Sequence, residues 1–224
     1  MAKLKLVFIS DTHGRHKEFE LGEGDILCHT GDAELTSNSQ IRKFAKWMGK
    51  QNFKHKIYVP GNHDTAVAQN IQRAKHILWE QGVLPLIDAE RTVEGLKFYG
   101  LPWTPTFGGW PFMGDSELMK EKCRYIPMDT DILLSHGPPE YILDKVFQYR
   151  TAVGCPMLAQ KVVQVNPIIH AFGHIHESYG FQKFKDTLYI NSAVAPSFLT
   201  GPNEAFVVEL DGKEVEDIYP EESC

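Results

Sequence analysis

The run Leu4-Lys5-Leu6-Val7-Phe8-Ile9 leads straight into Ser10-Asp11-Thr12-His13, and this junction decides how the chain is read. The apolar residues read as a first strand, and Asp11 and His13 follow it on a short loop. The same order recurs. Residues 25–29 are followed by Gly31-Asp32, and residues 56–59 by Gly61-Asn62-His63-Asp64. His136 follows residues 131–135, and Gly173-His174-Ile175-His176 follows residues 168–172. Five predicted strands thus each end in a metal-capable side chain. In layered α/β folds ligands gather at the carboxyl ends of strands, so these loops are expected to converge.

Three more apolar runs, 96–99, 187–190 and 205–210, are bounded by Gly, Pro, Asn or Asp, as strands are. Ile41, Phe44, Ala45 and Met48 stand at i, i+3, i+4 and i+7, an amphipathic helical stripe. Residues 65–75 and 155–165 also read as helices. Strands and helices alternate early and strands dominate late. That order predicts two β-sheets packed face to face with helices outside, a layered α/β fold.

The chain has 224 residues, 42% of them apolar, enough for one domain over 1–224 and too few for two comfortable ones. Its 23 basic and 29 acidic residues give a net charge of −6 without a basic stripe, so no stable nucleic-acid partner is expected. No apolar run approaches the ~20 residues of a membrane-spanning helix. The lysines before residues 6–9 are not followed by a small-residue cleavage pattern, which predicts a cytoplasmic protein with no membrane partner. Cys28, Cys123, Cys155 and Cys224 are scattered without a Cys-x-x-Cys pair, which argues for reduced thiols.

Single motifs are poor evidence. At this composition about 0.5 Asp-x-His matches arise by chance, against about 0.04 for Gly-His-x-His and about 0.001 for Gly-Asn-His-Asp. Their joint occurrence, in order and each after a strand, reads as a site for two metal ions. Carboxylate, amide and imidazole ligands without thiolate suit Mn²⁺, Fe or Zn²⁺. Asp32 is the natural bridge, since its two oxygens can each meet one cation. One ion would take Asp11, His13, Asp32 and His176; the other Asp32, Asn62, His136 and His174. Two divalent ions against Asp11 and Asp32 leave roughly two positive charges, a local anion trap in an acidic protein.

These ordered blocks, D-x-H, G-D, G-N-H-[DE], H and G-H-x-H, resemble the calcineurin-like metallophosphoesterase superfamily. Segments 25–32, 97–105, 130–139 and 174–180 extend the resemblance, which points to the branch of vertebrate metallophosphoesterase-domain-containing proteins. The resemblance implies a four-layer α-β-β-α sandwich of two mixed β-sheets flanked by helices. It also implies a hydrolase with two divalent metal ions per chain, manganese by preference, acting by in-line attack of a metal-bridging hydroxide. It gives His63 the role of an acid near the leaving group, with Asp64 orienting it. The vertebrate relatives have Gly in place of His174, so a fuller dinuclear site is expected here. Leu35 stands where purple acid phosphatases have a ligating Tyr, which argues against their iron chemistry.

The expected partner is a small phosphoester, a nucleotide, cleaved as a phosphodiester. A phosphomonoesterase (including a protein phosphatase) and a nucleotide-binding regulator without turnover are the alternatives, and the oligomeric state is left open. Arg15 is a candidate phosphate contact. Trp103, Phe107 and Trp110 are candidates for a substrate-facing aromatic wall, set against a small satellite core under a long loop. His29 and His170 read as core histidines bonded to backbone, with His170 also a candidate partner to a metal ligand. His16, His55 and His76 read as surface residues.

Overall fold

The structure is a computed structural model that describes residues 3–146, 151–196 and 202–221; Cys224 lies outside them. In chain order the main elements are β1 (Lys3–Ile9), β2 (Glu23–His29), α1 (Asn38–Gly49), β3 (Asn52–Tyr58), α2 (Thr65–Gln69) and α3 (Ile71–Trp79). There follow β4 (Val83–Pro85), β5 (Ala89–Val93), β6 (Leu96–Leu101), α4 (Ser116–Arg124), β7 (Ile132–Ser135) and α5 (Pro156–Val165). The last strands are β8 (Ile169–Phe172), β9 (Gly180–Phe184), β10 (Thr187–Asn191), β11 (Phe206–Asp211) and β12 (Glu214–Pro220).

Two six-stranded sheets result, ordered β12-β11-β1-β2-β3-β4 and β9-β10-β8-β7-β6-β5. The four strands β1 to β4 run parallel, with β11 and β12 added antiparallel. In the second sheet β6, β7, β8 and β10 run parallel, and β5 and β9 are antiparallel edges. Side-chain alternation divides each strand between two cores. Leu6 and Phe8 of β1 meet Phe98, Ile132 and Leu134 between the sheets, while Val7 and Ile9 face Ile41, Phe44 and Met48 of α1. On the far side Tyr99, Leu133 and Phe172 pack on Met119 of α4 and Leu158 and Val162 of α5. The layers are therefore α1–α3, first sheet, second sheet and α4–α5. Strands buried on both faces are near-continuous apolar runs, which is why 6–9 and 132–134 carry no polar alternation.

Helix boundaries follow their caps. Ser37 accepts from the Gln40 amide at the start of α1, and Cys155 accepts from the Leu158 amide just before Pro156 of α5. The helix predicted over 65–75 is broken at Asn70, whose side chain accepts from the Arg73 amide and restarts the chain as α3. Among the described residues no helix is long and apolar enough to cross a membrane, and Cys28, Cys123 and Cys155 are buried free thiols.

The central strands deliver the site. The loops after β1, β2 and β3 leave the first sheet at the same end as the loops after β7 and β8 leave the second. A seam joins the sheets there: the Ser10 amide donates to the Ser192 carbonyl at 2.8 Å, and the Val194 amide to the Ser10 carbonyl at 3.0 Å.

Candidate metal centre

Asp11, His13, Asp32, Glu34 and His174 all have positive φ, between 41° and 70°. This left-handed backbone is costly for residues with a Cβ and concentrates where function requires it. The loops are tied in pairs. The His13 amide donates to the Asp32 carbonyl at 3.0 Å, and the Gly173 amide to the His136 carbonyl at 2.9 Å. A Cβ on Gly61 would collide with the Asp32 carboxylate, and one on Gly173 with the Asp11 carboxylate. The glycine letters of the motifs are the space into which the ligand oxygens fit.

Three groups of side chains bring ligand atoms within 4.8 Å of one another: Asp11, His13 and His176; His13, Asp32 and His63; and Asp32, His136 and His174. The first holds Asp11, His13 and His176 of the first predicted set without Asp32, and the third holds Asp32, His136 and His174 of the second, with Asn62 Oδ1 2.9 Å from His136 Nε2. Two ring nitrogens, His13 Nε2 and His176 Nε2, meet at 3.4 Å, and the latter lies 3.3 Å from Asp11 Oδ1. Convergent lone pairs on buried oxygen and nitrogen donors, without a thiolate, fit divalent cations. His63 joins the middle group, so proximity to Asp32 alone does not separate an acid from a ligand.

Neighbours fix the orientation of these side chains. The His136 Nδ1–H donates to the Thr30 carbonyl at 3.0 Å, which leaves Nε2 for a cation. Asp11 accepts from the His174 amide at 2.9 Å and Asp32 from the His63 amide at 2.8 Å. Burial opposes ionisation of Asp11, but the hydrogen bond with His176 and the charges of His136 and His13 hold it far below the usual carboxylate range. Burial likewise works against protonation of His136, yet the Asp32 carboxylate raises it to about 9. Burial and His136 push His174 down to about 4.

Three sequence expectations are corrected, those for Asp64, Trp103 and His16. Asp64 does not orient the His63 ring: one of its oxygens accepts from the Gly61 amide at 2.8 Å, the other from the Leu35 amide at 3.0 Å. It fastens the loop, and burial followed by the nearby Asp32 raises its carboxyl to about 6. Arg15 is engaged by Glu18, with Nε 2.9 Å from Oε2. Trp103 belongs to the satellite core: its indole N–H reaches Asp88 at 2.9 Å, Lys122 lies over its ring, and its edge meets Phe112. His16 is buried against Phe44 and Trp47 instead of lying at the surface.

Other expectations keep their places. Phe107 and Trp110 are 63% and 44% exposed at the tip of the same loop. Trp110 stacks on the His63 ring at 4.5 Å, and Phe107 lies 5.3 Å from that of His174. His170 is buried as expected but meets a side chain, Ser135 Oγ at 2.8 Å, in place of backbone, and His29 braces the loops through Thr12 Oγ1 at 3.1 Å and the Gly31 amide. His55 pairs with Glu94 and His76 with Glu80. The residue that sequence reasoning missed is Glu34, whose Oε2 lies 3.0 Å from His13 Nδ1 and 3.3 Å from His63 Nδ1.

Comparison with known proteins agrees with this geometry. The family profile described as calcineurin-like phosphoesterase matches residues 4–178. The chain belongs to the calcineurin-like phosphoesterase family. Human metallophosphoesterase domain-containing protein 1 is 35% identical over 92% of this chain and 71% of its own length. A Caenorhabditis elegans protein is 32% identical over 85% of this chain and 69% of its own. Among solved structures, phosphopantetheinyl hydrolase from Mycobacterium tuberculosis superposes with a TM-score of 0.61 over 85% of this chain and 89% of that one. At 16% identity it shares the metallophosphoesterase fold. The family is metal-dependent, and the Asp and His groups above are the candidate ligands.

Proposed function

We propose that this chain is a phosphodiesterase acting on small nucleotides with two divalent cations, manganese first and iron or zinc as alternatives. The observation that carries the reading is the pair of ligand groups either side of His13 and Asp32, with exposed aromatic rings directly against His63 and His174. When bound, the cations would supply an activated water and offset the charge of the phosphate. The protein's own groups do the rest. His63 is caged between Trp110 and the edge of His13, which lies 4.9 Å away. With Nδ1 turned to Glu34, its Nε2 is the nitrogen left to protonate a leaving oxygen, a contribution of about 10²–10⁴-fold.

The outward faces of Trp110 and Phe107 offer flat apolar surface beside the phosphate position, and stacking of a base is worth roughly 1–3 kcal/mol. A diester suits the site better than a monoester. The extra charge of a monoester would hold it across both cations as a tightly bound ground state, which brings no gain in rate. Buried free thiols accord with a reducing, cytoplasmic setting. Profiling metal-reconstituted protein against cyclic nucleotides, linear diesters and monoesters tests the reading, with diesters expected to lead in kcat/KM. A clear monoester preference moves the assignment to a phosphomonoesterase, and nucleotide binding without turnover moves it to a regulator.

A further inference from the structure

We infer that Glu34 is a positioning residue that couples the acid His63 to the metal ligand His13, an inference that rests on the phosphoesterase reading above. Glu34 Oε2 accepts a hydrogen bond from His13 Nδ1 at 3.0 Å and lies at ion-pair distance, 3.3 Å, from His63 Nδ1. A carboxylate oxygen accepts and does not donate, so each imidazole turned to it keeps its proton on Nδ1 and carries its lone pair on Nε2. In His13 that places the lone pair toward His176 Nε2, 3.4 Å away, inside the first ligand group. In His63 it leaves Nε2 as the working nitrogen. The two rings meet edge to face, 90° apart, with centroids 4.9 Å apart.

Among the described residues no other carboxylate pairs with Nδ1 of either ring. Asp64, adjacent to His63 in sequence, is occupied by the Gly61 and Leu35 amides. The Thr30 carbonyl is taken by His136. Glu34 is itself held by a left-handed backbone, φ 63°, two residues after the left-handed Asp32, so the loop that presents the bridging carboxylate also aims the second one. A single substitution should therefore disturb a cation site and the acid together. Ordinary partners of metal ligands contribute about 10- to 100-fold in metal affinity or activity.

Nitrogen-15 NMR of the metal-free protein, above the imidazole titration range, reads which ring nitrogen carries the proton. Wild type is expected to show Nδ1–H on both His13 and His63. Glu34→Gly removes the carboxylate and suits a left-handed backbone, so it should fold and move both rings toward Nε2–H. Glu34→Gln keeps an accepting oxygen in the same place and should retain the wild-type tautomers. Manganese affinity, measured by calorimetry, should fall about 10- to 100-fold in Glu34→Gly and recover in Glu34→Gln. In a diester assay kcat should fall in Glu34→Gly with KM unchanged. Wild-type tautomers and manganese affinity in Glu34→Gly would overturn the inference, and a shift of one ring without the other would overturn the coupling. A wild-type protein that hydrolyses no phosphoester would defeat the phosphoesterase reading instead, with the NMR and calorimetry still deciding the role of Glu34.

Discussion

Asp32 and His13 each stand in two of the three ligand groups, His13 linking the first to the middle one and Asp32 the middle one to the third. Asp32→Ala should lose both ions by elemental analysis, whereas His136→Ala or His174→Ala should deplete one. His63→Ala should keep its metal and lose kcat. One ion per chain under saturating Mn²⁺ would end the dinuclear reading. These residues were legible because each motif couples a ligand to the neighbours that seat it. Glu34 was not, since its reach to two histidines depends on left-handed backbone that no letter announces. The role expected of Asp64 came with the family resemblance and not from its neighbours, and His16 misled through its polar neighbours Arg15 and Lys17. Burial holds the His16 imidazole at about 4, below the ordinary 6.5, so the unfolded chain takes up the proton first. Its stabilisation is complete above about 6.5 and is lost as pH falls through that value toward 4. The urea midpoint of wild type should therefore fall more between about pH 7 and about pH 4.5 than that of His16→Leu. His29 and His170, both lowered by burial, act in the same direction, so the slope of the variant is reduced and not abolished.

The segment 101–114 shows how one loop serves two ends. Its base is clamped by hydrogen bonds from the Thr104 amide to the Phe112 carbonyl and from the Thr106 amide to the Gly114 carbonyl, and by Trp103 on Asp88. Its tip carries Phe107 and Trp110 over the site. Trp110→Ala or Phe107→Ala should raise KM for nucleotide diesters about tenfold, the lower part of the stacking range, and leave an aliphatic diester unaffected. Trp103→Ala should instead lower the melting temperature and slow all substrates alike. Equal slowing of every substrate in all three variants would reduce the whole loop to packing. Proline and glycine marked this segment as irregular, but only packing separates its inward ring from its outward ones. The missed elements have similar causes. Helix α4 fully buries only Met119 and Cys123 in a charged run, and edge strands such as β5 and β12 expose most of their residues. The central strands were plain because burial on both faces leaves them uniformly apolar.

Each ligand group that matches a predicted cation spans the two sheets: Asp11 and His13 with His176, and Asp32 with His136 and His174. Cations held there would staple the sandwich at the end where the sheets are joined by the Ser10–Ser192 seam. Free metal at a hundredfold its dissociation constant should stabilise the fold by about 2.7 kcal/mol per site. Melting temperature should rise with Mn²⁺, fall with chelator and cease to respond in Asp32→Ala; a melting curve indifferent to metal would show that the sheets do not depend on it. The order of the first sheet carries another consequence. Strand β1 has β2 on one side and β11 on the other, so its second neighbour is made about 200 residues later. Until the hairpin of β11 and β12 emerges during synthesis, Leu6, Val7, Phe8 and Ile9 remain on an unpaired edge of the kind that invites aggregation. Such long-range pairing is slow to form. The strand that presents Asp11 and His13 is thus made about 200 residues before it is enclosed on both sides.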